Sequence, residues 1–326
     1  MLTGPIRWGI AGTGEIAGLF AATLGEVPGA AAAAVSSGTS ERAAAFASAH
    51  GIARAVVPHE AIADTPVDAV YVAATNDRHR DIAVACLDAG IPVLVEKPVA
   101  LDLGQAEDIA DAARRSGTFV MEAWWTRFLP FWDTAVRLVD EMGPLRWLQA
   151  DLGFPAERSG GSGRLWSPAA GGGALLDVGV YPLTFAHLLA GPPLETRAVA
   201  VLTDEGVDAQ VGVTSRHEGG VVSVLSASLV ADTSLTAVLA GPEGRVTVHA
   251  PFHHSRRVTV HRAGDLVAEH PVPYRGTGYR YEVEEVHRCL AEGLPGSPAR
   301  PFSDTLAVMG WMDEVRRQIG VRFPGE

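Results

Sequence analysis

Lys97 is the only lysine among the 26 Lys and Arg residues of the chain; all the others are arginine. An ammonium group is compact and releases its proton when its surroundings lower its pKa, which a guanidinium does not do. The single lysine, in Glu96-Lys97-Pro98, is therefore a candidate acid–base group. It follows the apolar run Ile91 to Val95, which reads as a buried strand that Pro98 ends. Asn76 and His79 follow another apolar run, Val67 to Ala73, and so fall at the carboxyl edge where open α/β sheets bind ligands. A third polar group lies far along the chain, in Gly172-Gly173-Ala174-Leu175-Leu176-Asp177-Val178-Gly179-Val180-Tyr181. The four-residue spacing of Asp177 and Tyr181 puts both on one face of a helix. The glycines before them allow close approach of another molecule.

These groups need a reaction partner, and the N-terminus supplies a place for one. Gly9-Ile10-Ala11-Gly12-Thr13-Gly14 follows a first strand and opens a helix, and Gly12-Thr13-Gly14-Glu15-Ile16-Ala17 fits the dinucleotide fingerprint with alanine in its last place. Such glycines make a tight turn and let backbone N–H groups reach a pyrophosphate at the positive end of the helix. The second strand ends Ser36-Ser37-Gly38-Thr39, with no acidic residue to bond a ribose 2′-hydroxyl, and Arg42 follows. Hydroxyls and a guanidinium suit a phosphate, so NADP is expected over NAD. The cofactor-binding set is Gly9, Gly12, Thr13, Gly14, Glu15, Ile16, Ser36, Ser37, Gly38, Arg42, Ala74, Thr75, Asn76, His79, Glu96 and Lys97.

The elements that must position these residues fall into two patterns. Up to about residue 123, short apolar runs alternate with helical patterns, which implies a parallel sheet covered on both faces. Beyond it, alternating segments such as Leu145 to Leu152, Ala209 to Ser215 and Val221 to Leu229 follow one another with few helices between, which implies an antiparallel sheet. The expected fold is thus a doubly wound nucleotide-binding domain, 1–123, followed by an α+β domain, 124–326, with a large open sheet. A final helix, 303–319, is expected to return to the first domain. Alternation leaves Val222, Val224 and Leu225 on both sheet faces, so a partner surface is expected. Trp124, Trp125, Phe128, Phe154 and Trp166 suit either a core or a pocket for a ring-shaped substrate. Trp125, Arg127, Phe154 and Trp166 are taken as the pocket.

Composition narrows the partners. The net charge of −12, without a basic run, argues against nucleic-acid and anionic-membrane binding. Two cysteines without zinc or disulfide spacing fit a reducing compartment. The run Ile6 to Ala11 is too short for a signal-peptide core, so a cytoplasmic location is expected. His253-His254 has no carboxylate or cysteine at ligand spacing nearby, and no metal is expected.

Taken together, the glycine loop, Ala74-Thr75-Asn76 through His79, Glu96-Lys97-Pro98 and the Gly-Gly-Ala-Leu-Leu-Asp stretch resemble the Gfo/Idh/MocA oxidoreductase family over nearly the whole chain. Within it, Glu122-Ala123-Trp124-Trp125-Thr126-Arg127-Phe128 and Tyr181 look like the dimeric dihydrodiol dehydrogenase branch; most of the wider family has histidine at the place of Tyr181. The resemblance implies a Rossmann domain, hydride transfer between NADP and a CH–OH group of a trans-dihydrodiol or a pentose such as xylose, and a homodimer formed through the second sheet. It implies that Lys97 and Tyr181 handle the hydroxyl proton as one coupled unit, with Asp177 orienting Lys97. In related glucose–fructose oxidoreductases, a serine and a basic residue five positions on hold the 2′-phosphate, a spacing matched by Ser37 and Arg42. Two other uses of this fold stay open: a dinucleotide sensor without turnover, and a sugar–sugar oxidoreductase with tightly held cofactor.

Overall fold

The structure, a computed structural model, describes residues 4–158 and 160–324. Its first six strands are β1 (Ile6–Ala11), β2 (Ala30–Ser36), β3 (Arg54–Val56), β4 (Ala69–Val72), β5 (Val93–Glu96) and β6 (Val120–Ala123). They form one parallel sheet in the order β3-β2-β1-β4-β5-β6. Every residue of β4, β5 and β6 is buried, the pattern of strands covered on both faces. The helices α1 (Glu15–Leu24), α2 (Ser40–His50), α3 (His79–Asp88) and α4 (Leu103–Ser116) connect them. Local chemistry sets their ends. Thr39 accepts from the Arg42 amide at the start of α2, and Asp102 from the Gln105 amide at the start of α4. Gly51 and Gly117 close the same helices in the left-handed conformation. The strand order reverses between β1 and β4, so the carboxyl ends of those strands flank the crevice where such sheets bind ligands.

The second sheet is built after α5 (Pro130–Asp140), from β7 (Trp147–Gly153) and, following α6 (Val180–Ala190), from β8 (Pro193–Leu202), β9 (Asp208–His217), β10 (Val222–Ser228), β11 (Ala237–Gly241), β12 (Gly244–Val248), β13 (Arg257–Arg262) and β14 (Asp265–Pro271). Its order is β14-β13-β12-β11-β7-β10-β9-β8. All its pairs are antiparallel except β7 with β10. One face is core: Leu148, Ala150, Val211, Val213, Leu225, Leu239, Val246 and Val248 are buried, and α5 and α6 pack against it. On the other face Val199 and Val201 are 76% and 55% exposed. Val222 and Val224 are half-buried on that open face, while Leu225 points into the core. The helix α5 starts at Pro130, which suits a first helical position, and buries Phe131 and Trp132. The stretch Pro168–Ala190 is long and apolar enough to span a membrane, but 83% of it is buried within the protein, as in a core helix.

Two more helices complete the chain, α7 (Arg280–Ala291) and α8 (Phe302–Ile319). Contacts divide the molecule into two units. One extends to Trp125 and also takes in Arg275–Leu306; the other holds Thr126–Tyr274 and the chain from Ala307. The expected return of the chain to the first domain is met in part: α7 and the start of α8 group with the parallel sheet, and α8 from Ala307 groups with the second sheet. In that unit Arg300 is fully buried and ion-paired with Glu122, whose two oxygens also accept from the Val99 amide (3.3 Å) and the Thr305 hydroxyl (3.0 Å). Both cysteines, Cys86 in α3 and Cys289 in α7, are buried free thiols of this same unit.

Candidate active site

The glycine turn after β1 has the geometry of a dinucleotide cradle. Gly12 has φ +136°, and a Cβ there would lie 2.2 Å from the Ala73 carbonyl oxygen, so the turn closes against the end of β4 only with glycine. Gly14 caps α1 without a side-chain bond, and a Cβ on it would meet nothing within 4 Å. The first amides of α1 therefore face open space, with Glu15 exposed and Ile16 half-buried in the first turn. Thr13 and Ser37 bond each other through their hydroxyls at 3.3 Å. Ser36 is buried and its Oγ has no partner. An open helix start, a turn that only glycine closes and an unpartnered hydroxyl at the end of β2 fit a dinucleotide. Arg42 is exposed one turn into α2. Gly9 is different: it lies inside β1, and a Cβ there would come 3.0 Å from Ile62, so this glycine serves strand packing.

Beyond β4, Ala74 is half-buried, Thr75 exposed and Asn76 buried. His79 ties this loop to the lysine turn: Nδ1 lies 3.0 Å from the Pro98 carbonyl and Nε2 3.2 Å from that of Ala74. Both partners are acceptors, so the ring donates; a neutral imidazole serves one of them and an imidazolium both. Lys97, half-buried, follows Glu96, whose Oε2 accepts the Lys97 amide at 3.0 Å. Glu96 also accepts from the Tyr71 hydroxyl. Burial pushes the Glu96 carboxyl above its usual range, and the Lys97 charge pulls it back. Burial first and Glu96 second push Glu282 of α7 far higher; it is fully buried, with neither oxygen partnered. This internal group of carboxyls and a phenol is one that sequence reasoning missed, because Glu282 sits among Glu284 and Glu285 and reads there as part of a solvated acidic helix face.

In the other unit the helix carrying Asp177 and Tyr181 opens with a π-turn, Leu175–Gly179, and becomes α-helical only at Val180. A π-turn closes i→i+5 bonds, and four residues still make close to one full turn, so Asp177 and Tyr181 remain near one helix face. Arg164 donates to Asp177 at 3.0 Å. Tyr181 is buried, its ring 4.9 Å from that of His253. The entry to the π-turn is held by Asp208, at the start of β9, whose Oδ2 accepts the Leu175 amide at 2.7 Å. A Cβ on Gly173 (φ +114°) would lie 2.2 Å from Asp208 Oδ1, so this carboxylate needs glycine opposite it. Burial pushes Asp208 up to about 7. A carboxyl raised on folding keeps its proton in the native state while the unfolded chain has lost its own. Its contribution to stability therefore falls as pH rises from about 4 to about 7. Asp208→Asn is expected to remove this slope: the wild-type urea midpoint should fall relative to that of the variant between pH 5 and 7. Parallel midpoints over that range would refute it.

The expected pocket residues occupy separate settings. Trp125 is buried and stacks on Tyr279, centroids 4.4 Å apart and planes at 13°. Arg127 lies 3.5 Å from Asp133 and over the Trp132 ring. Trp166 donates Nε1–H to the Glu157 carbonyl at 2.9 Å, beneath the Arg158 guanidinium. Phe154 is 39% exposed. Among the described residues no group of three or more His, Cys, Asp or Glu is placed to hold a metal ion. His253, given no role by the sequence, is the ring beside Tyr181.

Comparison with known proteins agrees with the two-domain fold. Residues 6–123 match the model of an oxidoreductase family with an NAD-binding Rossmann fold, and residues 132–247 match the GFO/IDH/MocA C-terminal domain. A trans-1,2-dihydrobenzene-1,2-diol dehydrogenase of Danio rerio is 34% identical over 98% of each chain, and that of Homo sapiens is 32% identical over 98% of each. Among solved structures, a 3-ketoreductase from Actinomadura kijaniata in complex with NADP and TDP-benzene superposes with a TM-score of 0.86 at 26% identity, covering 97% of this chain and 98% of its own. A levoglucosan dehydrogenase in complex with NADH and levoglucosan shares the fold at 20% identity and a TM-score of 0.86, over 97% of each chain.

Proposed function

Because the chain belongs to the Gfo/Idh/MocA oxidoreductase family, we propose that it is an NADP-dependent dehydrogenase acting on a secondary alcohol of a small cyclic polyol, a trans-dihydrodiol or a pentose such as xylose. The observation that carries this reading is the joint presence of Lys97, Asp177 and Tyr181 in a chain whose relatives over 98% of its length are named dihydrodiol dehydrogenases. A nicotinamide dinucleotide held at the glycine turn would supply the hydride acceptor or donor. Tyr181 and Lys97 together take the hydroxyl proton, or return it in the reverse direction. Asp177, to which Arg164 donates, is the third residue of the proposed catalytic set. The buried Glu96 holds the backbone of the lysine turn. Trp125, Arg127, Phe154 and Trp166 are proposed to shape the substrate pocket, and a reducing, cytoplasmic setting suits the two free thiols.

The first test is absorbance at the reduced-nicotinamide band with NADP⁺ and a panel of trans-dihydrodiols and pentoses. Turnover of at least one is expected. NADP⁺ binding without turnover on any would instead support a sensor, and purified protein already carrying nicotinamide would support sugar–sugar exchange. The coenzyme preference rests on Ser36, Ser37 and Arg42, with no acid at the end of β2. Arg42→Ala is therefore expected to weaken NADP⁺ by about tenfold or more and to leave NAD⁺ nearly unchanged in a fluorescence titration. Equal weakening of both would remove the 2′-phosphate argument.

The open face of the second sheet, with Val199, Val201, Trp147 and Leu266 at least 40% exposed, is proposed as a homodimer interface. Light scattering at micromolar concentration is expected to give twice the 34.2 kDa chain mass. A monomeric mass would refute it.

A further inference from the structure

A side chain outside the set above faces the same end of β2 as Ser36, Ser37 and Arg42. His59 opens the 3₁₀ turn His59–Asp64, which packs on β2. A Cβ built on Gly38 would stand 3.8 Å from His59 Nε2, so the imidazole lies against the bend that follows β2. His59 Nδ1 is buried without a hydrogen-bond partner, and so is Ser36 Oγ. Two unpartnered polar atoms at one strand end are costly when nothing binds there, and they are what a site for a polar ligand leaves behind. Resting on the NADP reading, we infer that His59 is a specificity-determining residue for the adenosine 2′-phosphate and takes up a proton when a 2′-phosphorylated dinucleotide binds.

The charges around the ring make this uptake strong. Burial, the largest effect, holds the free imidazole below its usual range. Glu60 beside it opposes this, while Arg78 in the turn before α3 and Arg42 on α2 reinforce it, and a bond to the Ser36 backbone opposes it again. Glu60 is itself paired with Arg78, so its charge is largely committed. Burial and the two arginines thus favour the neutral ring in the free protein. A phosphate monoester brings about −1.5 to −2 charges. That anion reverses the local balance, and the imidazolium it favours is a second charge-assisted donor beside Arg42. The proton comes from solvent and lands on the ring nitrogen, with no bond broken. The 2′-hydroxyl of NAD brings no charge and draws no proton.

The sign separates this from the phosphate's own titration. Cations around a phosphate expel its last proton, so binding would release protons and affinity would fall as pH falls. Protonation of His59 gives net uptake instead, and NADP⁺ affinity rises toward about tenfold per pH unit lowered, the limit for one linked proton. Calorimetric titration of the purified protein with NADP⁺ and with NAD⁺, at pH 7 and 8 in buffers of differing ionisation enthalpy, counts these protons. Wild type is expected to take up between about half and one proton with NADP⁺ and none with NAD⁺. His59→Gln, which keeps a neutral donor, is expected to abolish the uptake and weaken NADP⁺ about tenfold at pH 7, with NAD⁺ within about twofold. NADP⁺ binding without proton uptake in wild type overturns the inference whatever the variant does, as does uptake that persists in folded His59→Gln. Binding of NAD⁺ alone would overturn the coenzyme reading above and this inference with it.

Discussion

Lys97→Met and Tyr181→Phe are each expected to lower kcat by about a hundredfold or more, Tyr181→Phe while leaving NADP⁺ binding within a few-fold. The loss belongs to the chemical step, because each variant removes a group proposed to carry the hydroxyl proton and neither residue is part of the glycine turn. Met keeps the length of the lysine stem, and Phe keeps the ring that lies 4.9 Å from His253. Packing is therefore largely preserved, and the loss reads on the proton rather than on the fold. If the two groups act as one coupled unit, the double variant falls little further than either single one. Steady-state kinetics on the substrate found in the panel, with coenzyme titration of the same preparations, checks both points. Near-native kcat in both single variants would remove the proposed mechanism.

The largest expected change in stability lies away from the proposed chemistry. Arg300 is fully buried and paired with Glu122, which is itself 2% exposed. Replacing a buried pair wholesale is often nearly neutral, but removing one partner strands the other charge. Arg300→Met fills similar space and leaves the Glu122 carboxylate with only the Val99 amide and the Thr305 hydroxyl. The expected cost is about 3–5 kcal/mol, read as a lower urea midpoint. Glu122→Gln with Arg300→Met together should recover part of it, since neither charge then remains. A midpoint for Arg300→Met within about 0.5 kcal/mol of wild type would show that water reaches this pair.

What was legible in the sequence depended on how local its cause was. The apolar runs of β4 and β5 and the glycine turn after β1 carry their signal within a few residues, and each element falls where those residues predict it. The alternation of β9 and β10 likewise announces a half-buried sheet. The parallel pairing of β7 with β10 has no local mark, because it depends on strands that fold between them. The π-turn at Leu175–Gly179 was hidden by the same four-residue spacing that suggests an α-helix; Gly179 packs against Ala227 of β10, a tertiary contact. Asp208 and His59 escaped notice because each acts through a backbone segment distant in sequence, Asp208 on Leu175 and His59 on the Gly38 bend.

The two thiols of the chain lend one half of the molecule a natural stopwatch. Cys86 and Cys289 both belong to the unit of the parallel sheet, and Thr126–Tyr274 and the chain from Ala307 contain none. Burial pushes the Cys86 thiol up to about 12, far from the reactive thiolate. A thiol-directed alkylating reagent thus meets a thiol only when that half opens, and its rate of reaction times those openings without any introduced label.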